Sequence, residues 1–318
     1  MGFLKGLVIL IVILALIIGI ILLIISNWNN KFAKVEATDV KDIYGKKYPT
    51  KNGNINLYTY GSGEKMLVIF PGLASVAPGL EFKGLAKKLE GYKTVVVEPL
   101  GHGLSDNTKA PRTLENIVSE IHEALSQAEI TKYVLVAHAE AGLYAISYVN
   151  QYANEVIALA AIDTYIPAQA DNGYVDQSST YKFNSFMTKS GILRIVTRKM
   201  SEDNLLIPGL SAYLKPEEID IVKKLVYTKS ANATIVDEAA HILEIMNSLK
   251  GVALNSDVPA AIYLSSASAK AYGYWESEHK KLLEGVKKSA CEIIPSGHYI
   301  HIDKPDELIE KMTAFLAE

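Results

Sequence analysis

One cysteine, Cys291, in 318 residues leaves the chain without an internal disulfide, and a chain this long buries enough apolar surface to fold without one. Concentrated charge is also missing: the formal net charge is −3 and there is no basic cluster, which argues against a nucleic-acid partner. The seven histidines lack ligand spacing backed by cysteine or carboxylate, so no metal site and no cofactor is expected. No charged residue occurs between positions 6 and 26, where residues 7–25 are almost wholly Leu, Ile and Val. Roughly 20 apolar residues at about 1.5 Å each cross a ~30 Å hydrocarbon layer, whereas a cleaved signal has about 7–15 and a small-residue exit. Residues 24–28 offer no such exit, so residues 1–30 read as a single-pass anchor whose partner is membrane lipid.

Orientation is read from the flanks. Lys5 precedes the run and Lys31, Lys34 and Lys41 follow it, which by positive-inside counting holds the domain in the cytosol. A large domain behind an extreme N-terminal anchor commonly translocates regardless of charge, and an extracytoplasmic domain is the expectation.

Behind the anchor, residues 31–50 read as a charged linker carrying at most a short strand. Residues 55–60 alternate as an antiparallel edge strand does, and Gly61-Ser62-Gly63 turns that segment into the apolar strand 66–70. Helical spacing follows at 80–89, a buried strand at 94–98, an amphipathic helix at 113–128 with Thr113 as cap, then apolar strands at 133–136 and 156–162. Such alternation predicts a mostly parallel sheet covered on both faces. From 165 to 256 helical segments (181–200, 215–227, 231–249) follow one another without a convincing strand, which reads as an inserted helical cap. Strands resume at 260–264 and 291–294, and a helix at 306–316 closes a core made of residues 51–164 and 257–318.

Residues 133–142, Tyr-Val-Leu-Val-Ala-His-Ala-Glu-Ala-Gly, have the outline of the strand–turn–helix that lifts a nucleophile above a sheet, but its central residue is Ala139. A methyl group neither attacks a carbonyl nor accepts a proton. Taken with Phe70-Pro71-Gly72, Gly101-His102-Gly103-Leu104-Ser105-Asp106, Ala161-Ile162-Asp163 and Ser296-Gly297-His298 followed by Pro305, the segment resembles the α/β-hydrolase fold superfamily over residues 50–318. More narrowly, the chain is similar to membrane-anchored hydrolases of Gram-positive bacteria in which the elbow is followed by Gly-Leu-Tyr or Gly-Ile-Tyr and a later strand ends in Ile-Asp.

The resemblance implies a serine nucleophile, a histidine base, an acid and a backbone oxyanion hole. Ala139 holds the nucleophile position, and His298, in the loop after strand 291–294, fits the base. The acid's commonest position, after strand 260–264, holds only Ser265-Ser266-Ala267-Ser268-Ala269-Lys270, which leaves Asp163 as the alternative acid or as a mere turn residue, with Glu276 and Glu278 as fallbacks. Backbone N–H groups of Leu73 and Glu140 would form the oxyanion hole. The Glu140 carboxylate, beside the hole, disfavours an oxyanion and does not point where Ala139 points. His102 reads as a turn stabiliser, His138 as a strand-end residue and His301 as a packing or supporting group.

Removing a triad member leaves roughly 10³–10⁴-fold over water, too little for useful turnover. Three readings stand. The first is a membrane-anchored hydrolase-fold protein with lost or reduced catalysis that binds a small acyl or apolar ligand under its cap. The second is an active serine esterase or lipase-like enzyme whose serine has been replaced by alanine. The third is a nucleophile-free enzyme using His298 and Asp163 as an acid–base pair.

Overall fold

The computed structural model describes residues 2–41, 43–73 and 75–317. α1 (Gly2–Asp39) leads to β1 (Lys46–Thr50) and β2 (Gly53–Tyr60); after β3 (Lys65–Phe70) come the short helices α2 (Pro78–Glu81) and α3 (Lys83–Lys88). The chain then alternates as β4 (Tyr92–Glu98), α4 (Leu114–Gln127), β5 (Tyr133–His138), α5 (Ala141–Gln151) and β6 (Val156–Ile162). A helical stretch follows: α6 (Ser178–Ser190), α7 (Ile192–Thr197), α8 (Glu202–Leu205), α9 (Pro216–Lys229) and α10 (Ala233–Ser248). β7 (Ala260–Ser265), α11 (Ser266–Ala271), α12 (Trp275–Leu282), β8 (Ser289–Ile294), α13 (Ile300–Asp303) and α14 (Pro305–Ala317) complete the chain.

The strands form one sheet in the order β1-β2-β4-β3-β5-β6-β7-β8. β2 runs antiparallel to both its neighbours, and the pairs from β4 to β8 are parallel. Successive strand residues point to opposite faces, so a strand covered on both sides must be apolar throughout. β5 does this: Tyr133, Leu135 and Ala137 enter the core beneath α4, α5 and α10, while Val134 and Val136 join Phe82, Leu85, Leu308 and Met312 beneath α3 and α14. A third cluster lies under the helices between β6 and β7, where Leu206, Leu210, Val222 and Leu225 meet Leu80, Leu104 and Ile302.

Several local expectations give way. The alternating strand 55–60 is not an edge: β1 covers it on one side and β4 on the other, so β2 and β3 are consecutive without pairing. Residues 32–39, read as linker, continue α1, while 46–50 form the short strand allowed for in that segment, at the sheet edge. The helix expected over 181–200 breaks at Gly191, whose φ of 81° ends α6 in a left-handed cap before α7 begins.

Candidate active site

Every side chain at issue lies past the C-terminal end of a parallel strand, where the loops of such sheets gather. Ala139 follows β5 with a φ of 51°, and Asp163 follows β6 with a φ of 45°. Non-glycine residues held in this region cost on the order of 1–3 kcal/mol each, and the surroundings hold both in place. The carbonyl of Ala139 accepts the N–H of Gly142 at 3.1 Å and that of Tyr165 at 2.8 Å, tying the elbow to the loop after β6. Gly72 lets the β3 loop pass close: a Cβ there would lie 2.9 Å from the Ala139 Cβ.

Asp163 is fully buried and accepts from several donors at once. Oδ1 receives the Ser265 N–H and the Trp275 Nε1–H, each at 3.0 Å; Oδ2 receives Ser265 Oγ at 2.9 Å, Ser268 Oγ at 2.6 Å and His298 Nδ1 at 2.7 Å. Burial opposes its charge, but the bonds from His298 and Ser268 outweigh that and hold its pKa below the ordinary carboxylate value. For His298 burial disfavours the imidazolium, yet the bond to Asp163 and the charges of Asp163, Glu140 and Glu81 raise its pKa above the usual imidazole value. With Nδ1 committed to Asp163, Nε2 is the nitrogen left for chemistry. Asp163 and His298 are therefore brought together, whereas Glu276 and Glu278 pair on α12 with Lys280 at 2.6 Å and Lys281 at 2.5 Å. Residues 265–270 hold no carboxylate, but their hydroxyls and the Ser265 N–H supply donors to an acid that sits one strand away.

The main departure lies at the two residues expected to supply oxyanion donors. The Leu73 N–H donates to Glu140 Oε2 at 3.1 Å, so the carboxylate read as lying beside the hole is a ligand of one of its donors. Glu140 is also the N-cap residue of α5, where the helix dipole favours negative charge.

Three further histidines, His102, His138 and His301, pack around these residues. Buried His102 contacts the Leu73 carbonyl through Nε2 at 3.2 Å, and burial lowers its pKa. His138 Nε2 lies 3.4 Å from the His298 carbonyl, linking the elbow strand to the base loop. His301 stacks on Phe82 at 4.3 Å and meets Glu81 Oε1 through Nε2 at 3.2 Å; burial, then the nearby His298, pushes its pKa down to about 3. Glu81 in turn accepts from Ser75 and has its pKa raised by burial. It also lines an apolar cavity of about 190 Å³ under the helices between β6 and β7, with Val76, Leu206, Leu210, Val222 and Val226.

No protein-family model matches the chain. An uncharacterized protein of Bacillus subtilis (strain 168), YbdG, is 24% identical over 287 residues, spanning 87% of this chain and 85% of its own. Among solved structures, ALR0039 of Nostoc sp. PCC 7120, a candidate alpha/beta hydrolase, aligns with a TM-score of 0.63 at 15% identity over 87% of this chain and 99% of its own. The enol-lactonase of Burkholderia xenovorans LB400 aligns with a TM-score of 0.59 at 14% identity over 86% and 100%. This is the α/β-hydrolase fold. Likeness at these identities concerns architecture, and chemistry must be argued from the site.

Proposed function

We propose that this is a membrane-anchored α/β-hydrolase-fold protein of serine-hydrolase ancestry that has given up covalent catalysis and retains a binding site beneath its inserted helices. The observation that carries the reading is the Glu140 carboxylate on the Leu73 N–H, next to Ala139. A working enzyme whose serine had simply been exchanged would keep that donor free for substrate, so the alternative of an active esterase leaves Glu140 unexplained. Kinship with the membrane-anchored Gram-positive branch is supported by Gly142-Leu143-Tyr144 after the elbow, by Ile162-Asp163 at the end of β6 and by the likeness to the B. subtilis protein. The ligand we assign is a small acyl or apolar molecule, in keeping with the cavity that reaches Glu81. α1, long and apolar enough to cross a bilayer, would be the anchor, with the domain outside the cytoplasm.

The test restores the chemistry in two steps. The protein as it stands should resist a fluorophosphonate probe and hydrolyse short p-nitrophenyl esters no faster than an unrelated protein. Ala139→Ser alone should remain inert, because a carboxylate within about 4 Å of a developing oxyanion costs on the order of 1–4 kcal/mol and its grip on Leu73 removes a donor worth roughly 10²–10³ in rate. Ala139→Ser with Glu140→Ala should hydrolyse the esters at least about 10²-fold faster, and His298→Ala in that background should abolish the gain. Equal activity in the single and double variants would instead favour the exchanged-serine enzyme.

A second reading rests on the 2.7 Å bond between His298 and the fully buried Asp163, an acid–base pair kept in order without a nucleophile. It would suit proton abstraction from a bound carbon acid.

A further inference from the structure

α1 stays attached to the domain where its apolar run ends. Ser26 Oγ donates to the Lys189 carbonyl and Asn29 Nδ2 to the Thr188 carbonyl, each at 3.0 Å. Arg194 on α7 holds both Glu36 oxygens at 2.6 Å, bonds Asn29 Oδ1 at 3.0 Å and lies 4.2 Å over the Tyr227 ring. Towards the N-terminus, Gly19, Leu22 and Leu23 share an apolar groove of about 640 Å³ with Lys182, Phe186 and Lys189 of α6. These contacts fix a direction. With residues 188–194 against residues 26–36 and residues 182–186 in the groove beside Gly19, α6 runs alongside the last turns of the apolar run. From Lys182 to Lys189 it covers about 10 Å of it.

The outer surface of this pair of helices suits that level. Phe183 and Phe186, three residues apart and thus neighbours on the helix surface, are 60% and 51% exposed, and Ile195 and Val196 on α7 are 50% and 55% exposed. Residues 177–200 hold no acidic residue, and besides Arg194, which is committed to Glu36, they carry Lys182, Lys189, Arg198 and Lys199. Apolar side chains ringed by cations are what an amphipathic helix places at the boundary of an anionic bilayer, buried about 5–10 Å.

We propose that α6 and α7 form a shoulder seated in the headgroup layer of an anionic bilayer, with Phe183 and Phe186 in the upper acyl region and the basic residues at the phosphates. The proposal rests on α1 being a membrane anchor. The shoulder is contiguous with that anchor, which supplies its occupant. It also sets one helix between lipid and site: Tyr181 of α6 packs against the main core, so α6 borders the core on one face and lipid on the other.

The full chain is tested with Cys291→Ala as background and an environment-sensitive fluorophore at Phe186→Cys or, for reference, at Ile157→Cys, an exposed site at the opposite end of the sheet. Vesicles of phosphatidylcholine and phosphatidylglycerol carry a nitroxide near the top of the acyl chain, and flotation is scored first. Flotation with a blue shift and loss of emission at 186, and neither at 157, is the expected result. Flotation without quenching at 186 would overturn the shoulder and leave the anchor standing. The same holds for a blue shift at 186 without lipid quenching and with cross-linking between copies, which would assign the patch to a second copy of the chain. Absence of flotation would remove the anchor, and the shoulder with it. Phe183→Glu with Ile195→Cys as the labelled site should float equally and lose quenching; unchanged quenching would count against the aromatic contact.

Discussion

At residue scale the site's electrostatics come from burial acting against a few well-placed bonds. Burial lowers the pKa of His102, His138, His279 and His301, so each stays neutral in the fold at a pH where the unfolded chain binds a proton. For a base with a depressed folded pKa, stability is fully present above the unfolded value near 6.5 and is lost as pH falls below it. His298, raised by Asp163 despite burial, works the other way, and buried Glu81 and Glu98, also raised, gain stability as pH falls. The four lowered imidazoles outnumber these three groups. We expect the denaturant midpoint to drop between pH 7.5 and 5.5, with about 1.4 kcal/mol per pH unit for each net proton. A midpoint that rises on acidification would contradict the assignment. Asp163 acts lower still: its contribution is present above the ordinary carboxylate pKa near 3.9 and is lost as pH falls through the folded value.

Elements differ in how much of themselves they show in sequence. β5, β6 and β7 were legible because a strand buried on both faces has to be an unbroken apolar run, and the elbow was legible because strand, turn and helix follow within ten residues. β2 was misplaced as an edge because its alternation reports which faces are buried and says nothing of β1 beside it. The far end of α1 was hidden for another reason: residues 27–39 carry little apolar signal, and their helix is held by Arg194 and by Lys224, 3.2 Å from Asp39, partners far along the chain. That His298 meets Asp163 could be anticipated from their motifs, whereas the hold of Glu140 on Leu73 could not, since it depends on how two loops meet. One helix end offers a stability test. α4 closes with Glu129 in the left-handed region at a φ of 57°, its N–H bonded to the Ser126 carbonyl at 3.0 Å, while the Ile130 N–H bonds that of Leu125 at 3.0 Å. Glu129 is exposed and glycine is the residue this cap prefers, so Glu129→Gly should stabilise the protein by about 0.5–1 kcal/mol in a denaturant titration. A loss of stability would mean that its side chain holds something else in place.

On the scale of the whole molecule, the sheet and the helices between β6 and β7 depend on α1 to different degrees. Sheet and flanking helices share the two large apolar clusters, neither of which, among the described residues, includes one of α1. The helices after β6 are different: α6 and α7 meet α1 through Ser26, Asn29 and Glu36, and a Cβ at Gly191 would fall 2.7 Å from the Asn29 Cβ, so the two backbones are in close contact there. A chain beginning at Lys31 would keep Glu36 and lose Ser26 and Asn29. It should therefore fold, with amide-exchange protection in β3 to β7 equal to that of the full chain, while protection across residues 178–197 falls. Bonds to charged groups contribute about 1.5–3 kcal/mol each, so Arg194→Ala in the full chain should loosen the same segment by an amount of that order. Loss of protection in the sheet as well would show that α1 belongs to the folding unit as a whole. Unchanged exchange at 178–197 in both proteins would show that α1 is carried by the domain without bracing it, and the orientation of the inserted helices against a bilayer would then need another source.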